Sequence, residues 1–300
     1  MYRTSVILSH TFREAIVQPI YSLLIGLGAV ILIIFAKLPF FTLGEDTVMY
    51  MSVGLDVVLI LVLLTTLFAT SKSIFDEIED RTMLTLMSKP IQRFEVIIGK
   101  YLGIIAAALL AIVILGGVLC LTTALRIPGD YMISQKTLDD SELRQMYDLQ
   151  KVHIAGLCIS LFQVWLQVSV LAAVSVALST RFSLVVNLPV VVFIYIAGNL
   201  TRFLKPGNDG LMAGRNFIVK TIAYLVRAVL PYLEAFDLKS KTIYGKLAVG
   251  PFKQDPNAIS LSIVGGYVGL SMLYAVFIVT FFLSIGLLMF QTRELGGAEG

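Results

Sequence analysis

The sequence predicts an all-α, multi-pass membrane protein, and two observations carry the prediction. Its 300 residues are 57% hydrophobic with a mean hydropathy of +0.88, and only 14% are charged. A soluble domain carries about 25% charged residues. The apolar residues also come in long runs, each able to supply the ~20 residues that a helix needs to cross a hydrocarbon core. The formal charge of +3 says little by itself, since bilayer and water divide the charges. Cys120 and Cys158, both inside apolar runs, exclude a disulfide framework and a Cys-rich metal site.

Residues 1–18 read as an amphipathic interfacial helix. Leu8, Phe12, Ala15 and Ile16 share one face, and Arg3, His10, Arg13 and Glu14 gather opposite. Six spans follow, at residues 19–36, 48–71, 101–125, 154–180, 183–201 and 261–290. The first is long for a signal peptide, and "FAKLPFF" lacks a small-residue cleavage pattern. Residues 152–201 hold one formal charge, Arg181, and are too many for one helix, so they read as two spans turning at "STRFS". Residues 126–153 read as a solvated loop with a short amphipathic helix. In the longer loop, 202–260, "NFIVKTIAYLVRAVLPYL" puts Asn216, Lys220, Tyr224 and Arg227 on one stripe, as in a second interfacial helix. Read instead as a seventh span, it buries Lys220 and Arg227 at about 2.5–3.5 kcal/mol each.

"FDEIEDRTMLTLMSKPIQRFEVIIGK", residues 75–100, breaks the apolar pattern, with nine charged residues in 26 between two very apolar runs. Ser73 followed by Asp76 reads as a helix start, "MLTLM" as an apolar patch on that short helix, and "SKP" as its break. Pro90 suits the first turn of the next helix, with Arg93 and Glu95 at its start. An exposed apolar patch suits a partner protein. Packing of the loop against its own span ends is the other reading.

From residue 77 to 103 the pattern E-x-E-D-R-T-x-x-x-L-x-S-K-P-I-x-R-x-E-x-x-x-G-K-x-x-G resembles the first cytoplasmic loop of type-2 ABC transporter permeases. It is especially similar to the branch that includes the permease of the nitrous-oxide-reductase (multicopper enzyme) maturation system. "LPYLEAFDLKS" at 230–240 and "FQTREL" at 290–295 are similar to further segments of that family, and the amphipathic N-terminus resembles its connecting helix. The resemblance implies that the loop between spans two and three, residues 72–100, holds a cytoplasmic coupling helix docking on a separate ATPase subunit. By position, Glu77, Glu79 and Arg81 would make polar contacts, and Met83, Leu84 and Leu86 apolar ones. Ser88 and Pro90 would set the turn, and Arg93 and Lys100 would lie where the chain returns to the membrane.

The implied assembly is two permease chains, alike or different, with two ATPase subunits in the inner or plasma membrane, exporting a substrate. Both termini would be cytoplasmic. Charge counting alone leaves that open, with nine cations on the side of the termini against 14, or against five without the longest loop. No G-x-x-x-x-G-K-[ST] phosphate loop occurs, so ATP and Mg are expected on the partner and no cofactor on this chain. The expected partners include the lipid bilayer and no nucleic acid.

Asp56 inside span two, and Gln163 and Gln167 one turn apart on span four, are candidates for a substrate pathway. Their bland counterparts are an acid near the headgroups and amides that glue helices. Asn187 and Pro189 suggest a kink with an amide satisfying freed backbone groups. Gly99 with Gly103, and Gly265 with Gly269, have the spacing that lets helices approach closely, within a chain or across a dimer seam. The two cysteines read as independent buried thiols at similar depth. No catalytic triad, paired-carboxylate site or metal cluster is visible, so the chain reads as no enzyme. An ATP-independent secondary transporter, or a scaffold for maturing an extracytoplasmic enzyme, are the rival functions.

Overall fold

Surrounded by hydrocarbon, a backbone must bond to itself, and the apolar runs do so as helices. These are α1 (Tyr2–Val17), α2 (Pro19–Lys37), α3 (Asp46–Thr70), α4 (Arg93–Met132), α5 (Asp140–Ser179), α6 (Leu184–Leu200), the short α7 (Lys239–Thr242) and α8 (Leu261–Gln291). The computed structural model describes residues 2–38, 46–80, 92–132, 140–201, 221, 230–245, 247–248 and 258–291. Among them the one strand-like feature is an isolated bridge between Leu247 and Ile259. Five helices are long and apolar enough to cross a membrane, and α6, at 17 residues, is a shorter apolar helix packed with them. The protein is a multi-pass α-helical membrane protein.

Helix α5 is the hub. It packs on α3, α4, α6 and α8. Of its apolar stretch 72% is buried, against 22% for α2 and 17% for α8, which therefore lie at the periphery. On α2 the buried residues Tyr21, Ile25, Gly28 and Leu32 make one narrow stripe toward α3 and α4, while Leu23, Leu27, Val30, Ile33 and Ile34 face outward. The Tyr21 hydroxyl donates to the Ala107 carbonyl at 2.9 Å, and that of Tyr50 to the Leu32 carbonyl at 3.1 Å.

Helix α1 lies along α4, and its buried stripe is Ile7, Thr11 and Ala15, with Leu8, Phe12 and Ile16 half-buried at its edge. The predicted apolar face is thus rotated slightly toward Thr11. Gly99 and Gly103 make this approach possible: a Cβ on Gly103 would stand 2.8 Å from the Leu8 carbonyl oxygen, and one on Gly99 2.9 Å from the Ile7 Cβ. The close approach that this spacing signals is therefore used inside the chain. Gly265 and Gly269, on the outer face of α8, have nothing within 4 Å of that position.

Three expectations from the sequence are corrected here. Ser73 starts no helix: α3 runs on through a π-helical segment, Ser71–Asp76, and Glu77–Glu79 without a break. Residues 126–153 are mostly helix rather than loop, because α4 extends to Met132 and α5 begins at Asp140. Cys158 is exposed and Cys120 half-buried; both are free. The turn at "STRFS" is as expected, with the Arg181 and Phe182 amides donating to the Leu178 carbonyl. The second amphipathic segment lies outside the described residues apart from Thr221 and its last few positions.

Candidate functional site

A polar pocket of about 50 Å³ lies between α3, α5, α6 and the segment 233–242. That segment is a 3-10 turn, Leu233–Phe236, followed by α7, and it is wedged into the bundle at the end where α3 begins. Leu233, Phe236 and Leu238 bury their side chains. The Tyr232 amide donates to the Tyr274 hydroxyl at 2.7 Å, and Ser160 and Thr242 share a hydrogen bond of 2.7 Å. Gly156 is required here, since a Cβ would collide with the Thr242 carbonyl oxygen. The wedge carries Lys239, which forms an ion pair with Asp56.

Asp56 is half-exposed at the mouth of the pocket, beside Asp237 and Lys239, and Gln167 is buried at its floor. Thr70 bonds Ser175 across the parallel pair α3 and α5, so Gln167 stands level with Val62, six residues or ~9 Å deeper than Asp56. Ser160 of α5 with Tyr195 and Asn199 of α6 completes the polar lining, and Leu55, Leu59, Val164, Phe236 and Leu238 make the apolar lining. Of the pathway residues the sequence suggests, Asp56 and Gln167 therefore meet in one pocket. Gln163 does not line it: its amide donates to Ser271 of α8 at 2.9 Å, a contact that joins helices. Lys239, Asp237, Tyr195 and Asn199 are pocket residues that the sequence reading missed, although "LPYLEAFDLKS" singled out the right segment.

The opposite end is a braced elbow. Lys100 is only 3% exposed, and its ammonium lies 2.6 Å from Glu77 Oε1 and 3.1 Å from Ser73 Oγ, and also engages the Ser73 carbonyl. A side chain inserted into the i→i+4 ladder widens it, and the π-helical winding falls at this point. Just upstream, the hydroxyls of Thr66 and Thr70 bond carbonyls four residues back, which further bends a helix. On the return, the Glu95 carboxylate accepts from the Gln92 amide at 3.1 Å, closing the start of α4. Arg93 Nη1 donates to the carbonyls of Phe290 and Gln291 at 3.2 and 2.9 Å, and Arg181 reaches that of Met289 at 3.4 Å. Two guanidinium groups thus close the last turn of α8, where unpaired carbonyls and the negative end of the helix dipole favour cations.

The chain matches no family model and no curated protein.

Of the expected docking residues, Glu77, Glu79, Arg93 and Lys100 are described, and they frame the elbow. Glu79 is exposed and Lys100 faces inward as a brace. Arg81, Met83, Leu84, Leu86, Ser88 and Pro90 lie outside the described residues. Asn187 is buried and donates to Ser175 and Ser179 at 2.8 Å, so its amide joins α6 to α5 and does not serve carbonyls freed by Pro189. Among the described residues no group of three or more His, Cys, Asp and Glu side chains could hold a metal ion.

Proposed function

We propose that this chain is the membrane-spanning permease subunit of an ATP-driven ABC transporter, coupling ATP hydrolysis on a separate subunit to export. In this reading α6 is the fifth of six crossings, α1 is the connecting helix, and residues 72–100 form the coupling loop on the cytoplasmic side. Two such chains, alike or different, would form the pathway in the inner or plasma membrane, with both termini cytoplasmic. The observation that carries the reading is the bracing at both ends of the elbow. Lys100 ties its exit from α3 to α4, and Arg93 ties its return to the end of α8. A force on an elbow held this way moves three helices as rigid bodies, which is how a docked motor acts at a distance. The loop pattern from Glu77 to Gly103 supports the same assignment.

The test is charge reversal at Glu79 and Arg81, which releases the ATPase subunit from membranes while leaving the permease folded. Unchanged co-purification of the two subunits overturns the docking assignment. The Asp56–Lys239 ion pair is a feature that favours an ATP-independent secondary transporter instead. Substrate-stimulated ATP hydrolysis by the reconstituted complex decides between them, and subunit association without transport or hydrolysis favours a scaffold.

A further inference from the structure

We propose that the pocket under Asp56 binds the ammonium end of a small alkylamine, with Lys239 as the tethered group that such a ligand displaces. The inference takes the transporter reading as its frame, but ligand binding belongs to this chain alone. Gln167 points to a ligand most directly. It is 6% exposed and lines the floor, and it has no hydrogen-bond partner among the described residues. Its amide opens onto the pocket rather than onto packed protein, so its oxygen and nitrogen are offered to whatever occupies that space. The Tyr195 hydroxyl, half-buried in the same wall, likewise has no partner among the described residues.

The charges choose the ligand class. Asp56 and Asp237 against Lys239 leave the lining with one net negative charge, which disfavours an anion. No cluster of three metal-binding side chains is present among the described residues, which disfavours a divalent ion. Lys239 itself shows that an ammonium group fits against Asp56. A free ammonium, with its three donors, can also use the carbonyl of Gln167 and the oxygen of Tyr195. About 50 Å³ admits roughly three or four water-sized groups, enough for an amine head and a short alkyl stem against Leu59 and Val164.

The experiment uses the full-length chain in detergent, without ATPase, and follows its thermal midpoint against ethylammonium chloride. Sodium chloride and sodium propionate at matched ionic strength are the controls. The expected result is a saturable rise with ethylammonium alone. Lys239→Met, which removes the competing group, tightens the apparent Kd about fivefold. Gln167→Leu, of similar size and touching no described hydrogen-bond partner, weakens it about tenfold. No saturable rise in either wild type or Lys239→Met overturns the proposal, as does an equal response to sodium chloride. Unweakened binding by Gln167→Leu also overturns it. Association with the ATPase is a separate readout, so the transporter reading and the ligand class can fail independently.

Discussion

The Lys100 ammonium lies 2.6 Å from the Glu77 carboxylate, and the pair joins α4 to the far end of the α3 rod. Removing one member of a buried pair leaves the other uncompensated. Lys100→Ala is therefore expected to destabilise the protein by about 3–5 kcal/mol. Glu77→Gln keeps a hydrogen bond but leaves the buried ammonium without its countercharge, so it is expected to cost a comparable amount. Thermal unfolding in detergent measures both, and equal small effects would refute the brace.

Gly103→Val places a methyl-bearing Cβ against the Leu8 carbonyl, a backbone atom that cannot rotate away. Overpacking of this kind costs about 1–3 kcal/mol and should lift α1 off α4. Limited proteolysis within residues 2–17 then accelerates. Gly269→Val, facing open space, leaves stability and proteolysis unchanged.

How far this was readable from sequence differs between elements. Glycine spacing at 99 and 103 signalled a close approach, but spacing carries no partner, and the partner was α1 of the same chain. Asp56 stood out because an acid in an apolar run is costly. Its mate Lys239 is 183 positions away at the start of a four-residue helix, too short for any periodicity to assign it. Gln163 and Gln167 sit one turn apart, and small differences in rotation sent one to Ser271 and the other into the pocket. Arginines at span edges read as topology signals, so their role as caps on neighbouring helices was not visible.

Asn187→Leu removes two hydrogen bonds to buried hydroxyls on α5. The expected loss is about 1–3 kcal/mol. Ser175→Ala in the Asn187→Leu background should add less than it does alone, because both act through one network. A double-mutant cycle on thermal midpoints checks this, and strict additivity would contradict it.

Arg93→Ala should loosen the last turn of α8 by about 1 kcal/mol, or roughly fivefold faster amide exchange there. Arg181→Ala, with the longer 3.4 Å contact, does so less. Exchange in the first turns of α8 stays as it was, which separates loss of the cap from general unfolding.

Arg126 does for α2 what Arg93 does for α8. Its guanidinium donates to the carbonyls of Phe35, Ala36 and Leu38, at the end of the bundle opposite the elbow. The two outermost rods are thus pinned at contrary faces, each like a door hung from a different lintel. Both helices are also held further along, α2 by Tyr21 and α8 by Ser271 and Tyr274, so a bilayer that thins or thickens bears most on the two capped terminal turns. Lipid composition would then act at opposite faces of the molecule, without any molecule binding to it.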